Sequence, residues 1–120
     1  MSGQEEIFDA AIRILLFDDR CVTFSATPDG LSIRFPTTRK LADFLDIPHY
    51  YVLPVFAMME KDGLIRRVER VGISTTPEGT IKVLRLMAIG YRETAEEVLG
   101  AELLQELLKK AGAGHEIPGY

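Results

Sequence analysis

The residues of this chain best suited to chemistry are cations rather than nucleophiles. Arg39, Lys40, Arg66, Arg67 and Arg70 fall within one middle stretch of the sequence. Arginine offers a planar fork of donors and lysine a compact charge, and both bind phosphate. The other reactive types are scarce. Cys21 is the single cysteine, so an internal disulfide and a thiolate metal cluster are both ruled out. No histidine lies near it in sequence, and a lone cysteine in a strand pattern reads as a small buried apolar residue. His49 and His115 are too few for zinc without well-placed carboxylates, and no ligand spacing is present. No phosphate-cradling glycine loop follows a strand, since Gly112 and Gly114 sit near the end of the chain. The scattered Asp and Glu residues read as solvated faces. This inventory predicts a binding protein that needs no metal or cofactor, and not an enzyme.

The charge distribution sharpens that expectation. Net charge is −4 and the pI about 5.2, which argues against a protein that coats nucleic acid indiscriminately. Met1–Ile33 has two basic residues against six acidic ones. Arg34–Arg92 has ten against six, and Glu93–Tyr120 two against six. A basic middle between acidic flanks fits a local anionic partner, although composition noise would look the same. At 120 residues the chain is expected to form one domain with a modest core. The acidic start, Met1–Glu6, does not resemble a signal peptide. The longest apolar run, Tyr50–Met59, contains Pro54 and is too short to span a bilayer. With one cysteine and a reducing compartment implied, the expected location is cytoplasmic.

These cations need elements to hold them. Glu5–Phe17 reads as a helix, with Ile7, Ala10, Ala11, Ile14 and Leu15 on one face and Glu6, Asp9 and Arg13 on the other. Cys21–Phe35 reads as a β-hairpin: Val22, Phe24, Leu31, Ile33 and Phe35 alternate, and Pro28-Asp29-Gly30 supplies a turn. Thr37 or Thr38 can cap a helix to Leu45, with Leu41, Ala42 and Leu45 inward and Arg39, Lys40 and Asp43 outward. After the Asp46-Ile47-Pro48 turn, His49–Lys61 reads as a second helix with a stripe of Val52, Val55, Phe56 and Met59. Asp62-Gly63 ends it through a left-handed glycine, and Leu64 and Ile65 open a strand.

Arg66–Tyr91 admits two arrangements. In one, a long hairpin has Thr75–Gly79 at its tip and Thr80–Leu86 as its return strand. In the other, short strands Leu64–Val68 and Val71–Ser74 turn near Glu69-Arg70, and Thr76 caps a helix with Pro77 at its first position. The spacing of Ile81, Leu84, Ala88 and Tyr91 favours the second. Against it, Gly79 falls in the first helical turn, and Ile81 and Val83 suit a strand. Thr94–Lys110 reads as one C-terminal helix with a Thr94-x-x-Glu97 capping box and an apolar stripe of Leu99, Leu103, Leu104, Leu107, Leu108 and Ala111. Positions 112–120 read as a mobile tail.

The run Leu41–Val52, continuing through Met59-Glu60-Lys61-Asp62-Gly63-Leu64-Ile65, resembles winged helix-turn-helix transcription regulators. Thr76-Pro77-Glu78-Gly79 is similar to the end of the wing in many bacterial and archaeal members. The resemblance covers Thr37 to about Leu86. It implies an α+β fold: a winged helix-turn-helix, here with an extra N-terminal β-hairpin and a C-terminal helix. It further implies a prokaryotic regulator that binds duplex DNA, with the second motif helix in the major groove and the wing at the backbone or minor groove. Carried onto this sequence, His49, Tyr50, Leu53, Pro54, Ala57 and Met58 face DNA. Arg39 and Lys40 meet phosphates, and Arg66, Arg67 and Arg70 act from the wing.

Base-edge readout relies on Arg or Lys for guanine and Asn or Gln for adenine. The outward face of His49–Lys61 lacks these, and the chain has no Asn at all. His49 and Tyr50 can hydrogen-bond, while Leu53 and Ala57 can meet thymine methyl groups. The alternative is that Leu53 and Met58 contact a protein partner and the chain binds no DNA. A second leucine face, around Leu103 and Leu107, favours a homodimer paired through the C-terminal helix, the alternative being that all these leucines close the single core.

Overall fold

The structure, a computed structural model, describes residues 3–110. Helix α1 (Gln4–Arg13) continues through a wider π-helical turn over Ile14–Asp18. Its expected apolar face is buried, but so are Phe8, Ile12 and Leu16. The reason is position: α1 lies against α2 (Thr38–Leu45), α3 (His49–Lys61) and α4 (Pro77–Gly90), so little of its circumference meets water.

Strands β1 (Phe24–Thr27) and β2 (Gly30–Phe35) follow α1, and β3 (Ile65–Val68) and β4 (Gly72–Thr75) follow α3. The four form one antiparallel sheet in the order β1-β2-β4-β3. Among the described residues α1 comes first, so an extra hairpin at the N-terminus is not borne out; the first hairpin follows α1 and is built into the sheet through Arg34 opposite Ser74 and Phe35 opposite Ile73. The pairing starts at Phe24 rather than Cys21. Cys21 is exposed, which corrects the expectation of a buried residue. It lines a shallow surface cleft of about 350 Å³ beside Asp19 and Lys40.

Helix α2 begins with Thr37, whose side chain accepts from the Lys40 amide at 3.1 Å. It ends at Asp46, in the left-handed region at φ 55°, while the Ile47 amide returns to the Ala42 carbonyl at 3.0 Å. Pro48 then stops α2 and opens α3. Pro54 inside α3 leaves the Tyr50 carbonyl without its usual helical donor. Both residues are exposed, so water can take that role. Gly63, at φ 77°, closes α3 in the left-handed conformation expected of it.

The short-wing arrangement is the one adopted. Thr76 caps α4, accepting from the Gly79 amide at 3.1 Å, with Pro77 at the first helical turn. Gly79 has a tertiary reason to be there. A Cβ at that position would stand 1.9 Å from the Leu64 carbonyl oxygen, so the start of α4 runs directly against the exit of α3. Threonines secure the junction. The Thr76 hydroxyl also reaches the Gly63 carbonyl at 2.5 Å, and the Ile33 amide donates to Thr75 Oγ1 at 2.8 Å. Thr75 and Thr80 hydroxyls lie 2.7 Å apart, and Thr80 donates to the Leu31 carbonyl at 2.6 Å. Wing, first hairpin and α3 are thus held in one frame by threonine hydroxyls that all find partners. Phe35 joins the frame to the core, with its ring centroid 5.7 Å from Phe8 and 5.9 Å from Phe56.

The C-terminal region differs from the single helix expected over Thr94–Lys110. Gly100, at φ 89°, divides it into α5 (Arg92–Leu99) and α6 (Ala101–Lys110). Thr94 lies inside α5, so the expected capping box does not start a helix. Tyr91 is the N-cap and offers no side-chain cap bond. The tail at 112–120, with His115, lies outside the described residues.

Candidate nucleic-acid interface

The α2–α3 pair and the β3–β4 hairpin bring most of the expected cations to accessible positions. Arg39 is exposed in the first turn of α2. Arg66 is exposed on β3, and Arg70 is exposed at the wing turn. None of these three makes an ion pair among the described residues. Two others are engaged. Lys40 Nζ sits 2.9 Å from an Asp19 carboxylate oxygen, and Arg67 lies 3.7 Å from Glu60. Both pairs are solvent-exposed and worth little, so an incoming phosphate can compete for either cation.

Arg70 is held at φ 67°, within a turn closed by the Val71 amide and the Val68 carbonyl at 3.0 Å. A glycine would occupy that conformation without steric cost, whereas an L side chain loses roughly 1–2 kcal/mol there. The wing turn therefore carries arginine at a position whose local backbone favours glycine. Arg34 braces the same turn from β2, donating to the Val71 carbonyl at 2.9 Å. Sequence reasoning missed Arg34, because only the nonlocal pairing of β2 with β4 brings it to the wing.

Helix α3 turns Val52, Phe56 and Met59 into the core and leaves the opposite side open. Tyr50 is 65% exposed and Leu53 42%, and Met58, Pro54 and Ala57 are also exposed. Tyr51, not singled out from sequence, is exposed as well, and its ring lies 4.7 Å from that of Tyr50. It lies at the edge of the buried stripe, so no sequence signal marked it as exposed. His49 is placed differently from expectation. Its Nε2 is 2.7 Å from the Thr38 hydroxyl, and the ring is half-buried, so it ties the starts of the two motif helices together. The resulting surface is an apolar helix face with arginines on the neighbouring helix and wing.

The predicted dimer face fares less well. Leu107 is 7% exposed and belongs to the core with Leu104 and Leu108, which corrects its assignment to an outer face. The break at Gly100 changes the direction in which the α6 leucines point relative to one continuous helix. Leu103, 48% exposed, is the remaining outward leucine of α6.

Tyr91 fastens the start of α5 to α1, donating to an Asp9 carboxylate oxygen at 2.5 Å. Burial, followed by that hydrogen bond and the Asp9 charge, raises its phenol pKa. No group of three or more metal-ligating side chains occurs among the described residues. Within the same residues no helix is long and apolar enough to cross a membrane.

Among the described residues, the six α-helices and four-stranded antiparallel sheet are consistent with a winged-helix fold. No protein-family model and no curated relative matches the sequence. A similar solved structure is the crystal structure of T. acidophilum IdeR, with a TM-score of 0.44 and 13% sequence identity. The match covers 93% of this chain and 55% of that one, so the chain spans about half the length of the structure it resembles. A likeness at this level carries no information about function.

Proposed function

We propose that this protein binds duplex DNA as a transcription regulator, with α3 entering the major groove and the β3–β4 wing lying along the backbone. The observation that carries the reading is the set Arg39, Arg66 and Arg70. All three are exposed and without ion pairs among the described residues, in a chain whose net charge is −4. Cations left unpaired in an acidic protein are free to take phosphate oxygens and release counterions. Lys40 and Arg67 add to this set once their exposed carboxylate partners are displaced. The function is binding rather than catalysis, it needs no cofactor, and its setting is the cytoplasm.

The test is fluorescence anisotropy with mixed-sequence duplex at low and moderate salt. Wild type should bind with an affinity that falls steeply as salt rises. Replacing Arg66, Arg67 and Arg70 by Ala should weaken binding to all sequences and reduce the salt slope by about one for each phosphate no longer neutralised. Unchanged affinity in the triple variant would remove the wing from the interface. Homodimerisation through Leu103 and the α6 surface is part of the proposal, and sedimentation velocity of a Leu103→Asp variant checks it.

One observation favours a second reading. The exposed Tyr50, Leu53, Pro54 and Met58 surface also suits a protein partner. On that reading there is no DNA binding at low salt, and Leu53→Asp abolishes capture of a partner that the wild type retains.

A further inference from the structure

We infer that α3 discriminates among DNA sequences through the C5-methyl groups of pyrimidines, chiefly thymine, and not through hydrogen bonds to base edges. The inference rests on the DNA-binding reading above. The surface that meets the groove on that reading consists of Leu53, Pro54, Ala57 and Met58, with Tyr50 at its N-terminal end. His49, the residue there with two ring nitrogens, is engaged by the Thr38 hydroxyl. The first three turns of the exposed face carry no Arg, Lys, Asn or Gln, and Lys61 is the last residue of the helix. This face therefore has no donor fork for guanine and no amide for adenine.

An apolar side chain distinguishes major-groove edges by one group, the pyrimidine methyl. Leu53 and Ala57 are separated by four residues and so lie one above the other, with β-carbons about 5–6 Å apart. Successive bases of one strand rise about 3.4 Å, so the two side chains can reach methyls on neighbouring or next-neighbouring steps. Met58 adds a flexible thioether beside them. Charge complementarity favours DNA as the occupant of this face, because unpaired Arg39, Arg66 and Arg70 stand on α2 and the wing that flank α3. Arginines without base-reading companions provide affinity, and the methyl contacts provide selection.

The experiment compares four duplexes of equal length over one shared series of salt concentrations: A·T-rich, the same with every thymine replaced by uracil, G·C-rich, and the same with cytosine C5-methylated. Uracil keeps each hydrogen-bonding group of thymine and removes the methyl alone. The thymine duplex should bind more tightly than the uracil duplex, by about fourfold for each methyl buried. Methylated G·C should gain over unmethylated G·C in the same direction. Leu53→Ala should lower the thymine-to-uracil ratio, and Leu53→Ala with Met58→Ala should bring it closer to one, while both leave the salt dependence as in wild type. Salt-dependent binding with equal affinity for thymine and uracil duplexes would overturn this inference and leave the DNA-binding reading standing. A ratio undiminished in the Leu53→Ala, Met58→Ala double variant would equally overturn it. No binding to any duplex at low salt would remove both together.

Discussion

Helices α3 and α6 are both rich in apolar residues, yet they use them differently. In α3, Val52, Phe56 and Met59 are buried, while Tyr50, Tyr51, Leu53 and Met58 remain exposed. In α6, Leu104, Leu107 and Leu108 are buried and Leu103 stays outside. Helix α6 lies against α4 and α5, so most of its leucines close the core. Helix α3 is supported by α1, α2 and β3 on one side, and its opposite side is left uncovered. An apolar face that the fold leaves open points to an interface, whereas an apolar face that the fold covers contributes stability.

The largest test of this contrast is substitution of the two kinds of leucine. Leu104→Ala, at a side chain 1% exposed, should cost about 2–5 kcal/mol in denaturant unfolding. Leu53→Asp and Leu103→Asp should each stay within about 0.5 kcal/mol of wild type as monomers. A large loss of monomer stability from Leu53→Asp would mean that its face belongs to the core after all.

Gly79→Ala should come next, at about 1–3 kcal/mol or more, because its methyl must displace the Leu64 backbone. The same variant should weaken DNA binding, since it pushes the start of α4 away from the junction of α3 and the wing. Retained thermal stability would show that the junction yields more readily than its geometry implies. Arg70→Gly is smaller and of opposite sign for stability. Relief of the left-handed backbone should stabilise the fold by about 1 kcal/mol, less the extra freedom glycine adds to the unfolded chain. Duplex affinity should nonetheless fall. A parallel gain in both properties would exclude Arg70 from the interface.

The smallest effect lies at the α5 end. The Tyr91 pKa is raised in the folded protein, chiefly by burial. Its contribution is therefore fully present below the unfolded phenol value near 10 and lost as pH rises through the higher folded value. Tyr91→Phe should flatten that part of the alkaline stability profile without altering binding at neutral pH. An unchanged alkaline profile would dissociate the Tyr91–Asp9 hydrogen bond from stability.

Local signals survive well in this chain. Thr37 and Thr76 cap the helices expected of them, Gly63 takes its left-handed turn, and Val52, Phe56 and Met59 are buried as their stripe requires. Each depends on residues a few positions apart. Where expectation and structure part, the cause is in most cases a partner far away in sequence. Leucine periodicity runs straight through Gly100 and masks the local stop that this glycine supplies between α5 and α6. Gly79 is unfavourable for a helix by local rules, and only the Leu64 backbone against it explains the residue. Among the candidate site residues, the exposed positions of Arg39, Arg66 and Arg70 are legible by type and spacing. The engagement of His49 by Thr38 and the bracing of the wing by Arg34 are not.

The amino-acid sequence alone determined where helices and turns begin and end in the α2–α3 motif, because caps, proline and left-handed residues act over one turn of backbone. It also determined that the middle of the chain carries the surplus of positive charge. Tertiary structure decided which apolar faces are covered and which cations keep no partner. Both outcomes depend on what a distant segment brings alongside, and burial and charge pairing are properties of that neighbourhood rather than of the residue itself.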